Sequence, residues 1–268
     1  MIKPGEIQQI ANRLNLRDTQ IEKDYVIGWV LRGISENNFL SSNLAFKGGT
    51  ALRKAYFPDY RLSEDLDFTT LDKIETTKFN ENFQSVNNWI YEESRIKLDI
   101  EDETEHQTGN FNFYLSYTAP LGGSEKNIKV DISCDEVICE QPKHIDILNE
   151  YSDLQAKYQL LVYPLSEIIA EKMRAVIQRT MPRDLYDLWY LFEMERLNIE
   201  EYVLDFLKKA EHKGYDGKQF VDTITNKQAR FKKSWEENLS NQMREIPGFD
   251  DVWRELSKHW RKYTKAIE

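Results

Sequence analysis

The chain is poor in cysteine, has no long apolar run and has no surplus of positive charge, and each shortage excludes something. Its 268 residues include two cysteines, Cys134 and Cys139. So few thiols cannot form a disulfide framework, and both are expected to be reduced. The longest apolar run, Tyr25 to Leu31, is far shorter than the about 20 residues that span a bilayer. The opening MIKPGEIQQIANRL lacks the apolar stretch of a secretory signal, so a cytoplasmic location without membrane contact is the expectation. No G-x-x-x-x-G-K-[ST] phosphate loop is present, which excludes a Walker-type nucleotide site. Internal repeats and low-complexity segments are missing too.

What remains is an ordinary globular composition, 40% hydrophobic and 31% charged, with a net charge of −10. The charge is unevenly placed. Residues 1–164 hold 17 basic and 27 acidic residues, whereas residues 165–268 hold 19 of each. The neutral half carries three basic clusters: Lys208, Lys209 and Lys213; Lys227, Arg230, Lys232 and Lys233; Lys258, Arg261, Lys262 and Lys265. A polyanion would have to use such local surfaces against a repulsive global field. Solvated helix faces of mixed charge account for the clusters equally simply.

The stretch Phe46–Phe68, FKGGTALRKAYFPDYRLSEDLDF, carries the most chemistry. Gly48 and Gly49 turn a short strand, Leu44–Lys47, into a helix from about Thr50, with Thr50 as the cap. A glycine turn ahead of a helix exposes backbone N–H groups to an anion. Asp65 and Asp67 follow on an expected strand, Asp65–Thr70. Two residues apart on a strand, they share one face, while Leu66 and Phe68 point into a core. Nucleotidyl and phosphoryl transfer use carboxylates in this way to hold divalent metal ions about 3.5–4 Å apart. Without the upstream glycines the D-x-D would be nothing more than a polar strand face.

A third acid is expected on a neighbouring strand. In Asn127–Ser133 the residues alternate, with Ile128, Val130 and Ile132 facing the core and Lys129, Asp131 and Ser133 opposite. Asp131 is the candidate metal ligand, or the base toward an attacking hydroxyl. This strand pairs with Phe111–Thr118 through a hairpin at Gly122, Gly123 and Ser124. Helices are expected at Pro4–Leu14, Thr19–Ser35 and Phe79–Lys97. Beyond Ser166 the pattern is helical throughout, at Ser166–Arg179, Arg183–Glu195, Glu200–Lys213, Lys218–Lys233 and Asp250–Lys265. The reading is therefore α+β, with a mixed α/β domain over 1–164 and an all-helical domain over 165–268.

In the helical half, Lys172 lies beside the apolar stripe of Ile168, Ile169, Met173 and Val176. It either reaches nucleotide phosphates or pairs on the surface. Arg183 and Asp187 have the i,i+4 spacing of a plain helix ion pair. Asp184 falls in a first helical turn, where an acid is favoured by the helix dipole alone.

Taken together, KGGTALRKAY, RLSEDLDF, KVD, EKMRA and RDLYDL resemble the AbiEii/AbiGii-type nucleotidyltransferase toxins of the DNA polymerase β-like superfamily. The resemblance spans about Phe46 to Leu191. It implies a bilobed fold, an NTP substrate, and two Mg²⁺ ions, with Mn²⁺ as the alternative. It places Lys47, Gly48, Gly49 and Thr50 at the nucleotide phosphates and Asp65, Asp67 and Asp131 at the metal. Lys129 belongs with Asp131 in the K-x-D element. Lys172 becomes a nucleotide contact, and Asp184 is part of the fourth motif. Thr50 stands where many relatives carry Ser, which keeps the hydroxyl. Such toxins belong to type IV toxin–antitoxin or abortive-infection systems of phage defence, beside a cognate antitoxin. Related members add nucleotides to the 3′ end of tRNA.

The expected activity is thus transfer of an NMP from an NTP to an RNA acceptor, with tRNA as the acceptor the resemblance suggests. Two alternatives stay open: an NTP-binding toxin that sequesters a partner, and a kinase-like phosphotransferase acting on protein or a small molecule.

Overall fold

A computed structural model describes residues 1–106 and 109–268. The chain divides into two compact units. The first comprises Met1–Asp135 and Pro142–Tyr163; the second comprises Glu136–Gln141 and Pro164–Glu268.

The first unit opens with α1 (Pro4–Leu14), where proline occupies the first turn and loses no hydrogen bond there. Next come α2 (Asp18–Glu36) and α3 (Asn38–Asn43). Most of α2 is buried around its circumference, with Ile21, Tyr25, Val30 and Leu31 in the core. The chain then forms β1 (Leu44–Lys47), a helical turn α4 (Gly48–Ala51) and a π-helical turn over Leu52–Tyr56. β2 (Leu66–Thr70) precedes α5 (Thr76–Ser94). Four more strands run before the second unit: β3 (Lys97–Glu105), β4 (Phe111–Thr118), β5 (Lys126–Ser133) and β6 (Lys143–Asp146). β7 (Gln159–Val162) closes the sheet.

Among the described residues the sheet has seven strands in the order β3-β4-β5-β2-β1-β7-β6. It is mixed: β2 runs parallel to β5 and β1 parallel to β7, and the other pairs are antiparallel. The expected β4–β5 hairpin is present. Ile128, Val130 and Ile132 are buried as their alternation requires, and so are Leu66 and Phe68. On the same side of the motif strand, Phe46 and Phe68 are register partners with ring centroids 5.4 Å apart.

Three expectations need adjustment. α5 stops at Ser94, because Arg95 adopts a left-handed conformation with φ 63° and breaks the helix. Lys97 therefore opens a strand, β3, that periodicity did not reveal. Its sequence, KLDIEDETE, is mostly exposed, and charge along an edge strand discourages pairing with other chains. β6 and β7 also went unforeseen, since four residues each are too few to show a period.

The second unit is helical apart from its Glu136–Gln141 segment. It contains α6 (Leu165–Gln178), α7 (Pro182–Trp189), α8 (Val203–His212), α9 (Phe220–Leu239) and α10 (Phe249–Ile267). Among the described residues no helix is long and apolar enough to cross a membrane.

Candidate active site

The β1–α4 turn determines the geometry of the first unit's site. Gly48 has φ +79°, a conformation open to glycine at little strain. A Cβ there would lie 2.3 Å from Oδ2 of Asp67, so the missing side chain lets the backbone close on that carboxylate. The helix begins at Gly48, two residues before the expected Thr50. Thr50 therefore does not cap it. Its hydroxyl donates instead to the backbone carbonyl of Asp65, tying the glycine turn to the start of the acidic motif.

Strand register sets the acids side by side. Lys47 pairs with Asp67 across β1 and β2, Asp67 pairs with Asp131 across β2 and β5, and Asp131 pairs with Asn112 across β5 and β4. Directly paired residues share a face of the sheet. The row Lys47–Asp67–Asp131–Asn112 thus crosses four strands on one side. Asp65 lies just outside β2, which starts at Leu66 and not at the expected Asp65. Lys129, two residues before Asp131 on the same face, contacts its Oδ2 at 2.7 Å. Lys47 is buried, with its ammonium 5.5 Å from the centroid of the Tyr163 ring.

The donor set suits a hard divalent cation. Asp67 and Asp131 supply carboxylate oxygens from adjacent strands, the ligand type Mg²⁺ prefers when substrate phosphates complete its shell. Among the described residues no three His, Cys, Asp or Glu side chains gather into a self-sufficient metal site. A cation held here would accordingly draw further oxygens from a nucleotide.

Two features near the turn escaped the sequence reading. A Cβ at Gly49 would stand 3.0 Å from a guanidinium nitrogen of Arg61 and 3.1 Å from the Ser63 hydroxyl; Arg61 is buried. Downstream, the π-helical turn directs Arg53 and Lys54 inward. Lys54 Nζ meets Asp24 Oδ2 at 2.6 Å, and the Tyr151 hydroxyl donates to the same oxygen at 2.6 Å. Arg53 Nε lies 3.5 Å from Asp24 Oδ1, and its NH1 donates to the carbonyls of Pro58 and Tyr60. Burial raises the Asp24 pKa most strongly, but the Lys54 and Arg53 charges and the two hydrogen bonds outweigh it and hold the carboxyl below its ordinary value. Consecutive basic residues after a glycine turn were the available signal; their acidic partner on α2 was not.

In the second unit, Lys172, Asp184 and Asp187 are all buried. Lys172 Nζ contacts Asp184 Oδ1 at 3.0 Å and Asp187 Oδ2 at 2.7 Å. Arg179 grips Asp184 with two hydrogen bonds, of 2.7 and 3.0 Å. Asp184 does more than favour a helix dipole, and Asp187 shares its contact with Lys172 in this buried cluster. Burial is the largest influence on Asp184 and raises its pKa, yet Lys172 and Arg179 together bring it below the ordinary value.

The first two basic clusters prove largely engaged. Lys208 pairs with Asp205 and Lys213 with Glu136, while buried Lys209 meets Glu167 at 2.6 Å. Lys227 donates to the carbonyls of Val176, Ile177 and Arg179, satisfying the end of α6, and Lys232 pairs with Asp250.

A glycine turn closed over one acid of a strand-borne acidic row, on a mixed sheet followed by a helical unit, defines the nucleotidyltransferase class. The family described as nucleotidyl transferase AbiEii toxin, type IV toxin–antitoxin system, matches residues 29–263. The chain belongs to this family of nucleotidyltransferase toxins. MenT4, a nucleotidyltransferase toxin from Mycobacterium tuberculosis H37Rv, shares the fold with a TM-score of 0.69 at 18% identity, over 100% of this chain and 98% of that one. JHP933 from Helicobacter pylori aligns with a TM-score of 0.57 at 21% identity, over 93% of this chain and 94% of that one. A search of curated proteins by sequence returns no match.

Proposed function

We propose that the protein transfers an NMP from an NTP to the 3′ end of an RNA, with tRNA as the leading acceptor, and that this makes it the toxin of a type IV system with a cognate antitoxin. The observation that carries the reading is the pairing of Asp67 with Asp131 directly beside the Gly48 turn. In this reading the NTP phosphates lie along Lys47, Gly48, Gly49 and Thr50, and Asp65, Asp67 and Asp131 hold Mg²⁺ or Mn²⁺. Bound metal would neutralise the triphosphate and make the acceptor hydroxyl more acidic. Lys129, 2.7 Å from the Asp131 carboxylate, orients it. The acceptor hydroxyl attacks the α-phosphorus and pyrophosphate leaves.

Lys172 is proposed as a nucleotide contact positioned by Asp184 and Asp187. Calorimetry with a non-hydrolysable NTP tests this, with Lys172→Arg expected to bind more weakly than the parent because a planar fork replaces a point charge. Unchanged affinity returns Lys172 to a purely structural role.

The activity itself is tested by incubating the protein with radiolabelled NTPs and total cellular RNA. Label in an RNA band is the expected result. Nucleotide binding without transfer would favour a sequestering toxin, and label in protein would favour a phosphotransferase.

A further inference from the structure

The third basic cluster differs from the other two. Lys258, Arg261, Lys262 and Lys265 are all exposed on α10, and none is ion-paired among the described residues. Their spacing is i, i+3, i+4, i+7. At 3.6 residues per turn the four side chains fall within an arc of about 100° and along roughly 10 Å of helix. The opposite face of α10 carries Val252, Leu256, Trp260 and Tyr263, which are buried.

Such a ridge is unfavourable by itself. Lys258 with Lys262 and Arg261 with Lys265 are like-charge i,i+4 pairs, which destabilise a helix. The helix dipole rewards a cation in the last turn only, so it accounts for Lys265 and leaves the rest. No acidic residue occurs between Leu256 and Ile267, although the chain as a whole carries −10. An anionic partner would offset the repulsion along this ridge.

We propose that this ridge binds the phosphate backbone of an RNA duplex. The choice of RNA rests on the function proposed above; the ridge itself rests on its charge and exposure. An inserted membrane helix needs a free apolar face, and that face of α10 is already buried within the unit. A protein partner would need apolar or aromatic anchors, and among the described residues α10 exposes no large hydrophobic side chain. A backbone of closely spaced phosphates asks only for a row of cations, each releasing counterions on contact.

The test measures binding of a fluorescent RNA hairpin with a single-stranded 3′ end across a salt series. It compares the full chain with the variant Lys258→Gln, Arg261→Gln, Lys262→Gln, Lys265→Gln. The four positions are exposed, and the variant's melting curve and its affinity for a non-hydrolysable NTP should match the parent's. RNA affinity should fall at least tenfold, and the slope of log Kd against log salt should drop by about three. Unchanged affinity and slope would overturn the proposal. So would loss of binding to phosphatidylserine vesicles while RNA binding persists. If RNA binding depends on the ridge but no nucleotide is ever transferred, the ridge stands and the transferase reading falls. If transfer to RNA proceeds and the variant binds RNA like the parent, the reverse holds.

Discussion

Asp67 and Asp131 are register partners on the parallel strands β2 and β5, although 64 positions separate them in the chain. Parallel pairing puts their carboxylates on one face about one strand spacing apart, roughly 4.8 Å between backbones. Two acids at that separation repel unless a cation or a neighbour such as Lys129 offsets them. Asp67→Ala should therefore abolish nucleotide transfer while leaving the fold intact. Loss of a metal-clamp ligand costs several kcal/mol at the transition state, and the half-exposed side chain contributes little to the core. Near-normal turnover in a labelled-NTP assay would rule out this role for Asp67.

Gly48→Ala should damage the same site by a different route. Its φ of +79° strains any L side chain, and the new methyl would press on the Asp67 carboxylate. The backbone penalty alone is about 1–2 kcal/mol. Nucleotide affinity measured by calorimetry should fall along with Tm; a variant that binds like the parent would show that the turn does not contact the phosphates.

The buried cluster around Asp184 predicts an acid sensitivity. Its folded pKa is held below the ordinary 3.8, so its stabilising contribution is fully present above 3.8 and is lost as pH falls through the lower folded value. Asp184→Asn should flatten the loss of Tm below about pH 4 relative to the parent, while lowering Tm at neutral pH. Lys172→Ala should be severe, about 3–5 kcal/mol, because it leaves Asp184 and Asp187 buried without that cation. Urea denaturation of both variants at pH 7 and pH 3 measures the effect.

Asp24→Ala should likewise cost about 3–5 kcal/mol by leaving Lys54 buried without its acid. The replacement also loosens the π-helical turn that follows Gly48–Ala51, so nucleotide affinity should fall with stability. If denaturant midpoints drop and affinity holds, the Asp24–Lys54 pair supports the fold and not the site.

How much of this was legible in the sequence varied with the physics. Phase was readable: the alternation in Asn127–Ser133 places Asp131 opposite the buried Val130 without reference to any other strand. Register was not, because nothing local says that Asp131 aligns with Asp67 and not with a residue two positions away. The four-residue strands β6 and β7 carry no period, and β3 is too charged to look like a strand. Ionic partners were the hardest. Spacing offered Asp187 an i,i+4 partner in Arg183 but gave no sign of its contact with Lys172 on the preceding helix, and Lys54 finds Asp24 thirty residues upstream. Tertiary packing chooses such partners, and local spacing offers weaker competitors.

The segment Glu136–Gln141 belongs to the second unit although both of its flanks belong to the first. Backbone N–H groups of Cys139 and Glu140 donate to the Glu167 carboxylate, and Lys209 donates to the Val137 carbonyl. On the ribosome these six residues emerge well before Glu167 and Lys209. The N–H groups of Cys139 and Glu140 wait 28 and 27 residues for Glu167, and the Val137 carbonyl waits 72 for Lys209, with water as the partner meanwhile. The first unit can close around β5 and β7 early, whereas the second cannot be completed by any nascent chain that ends before α8. Premature termination there would yield a sheet bearing a stranded loop, and a cell would meet that species as a target for proteolysis before any finished toxin existed.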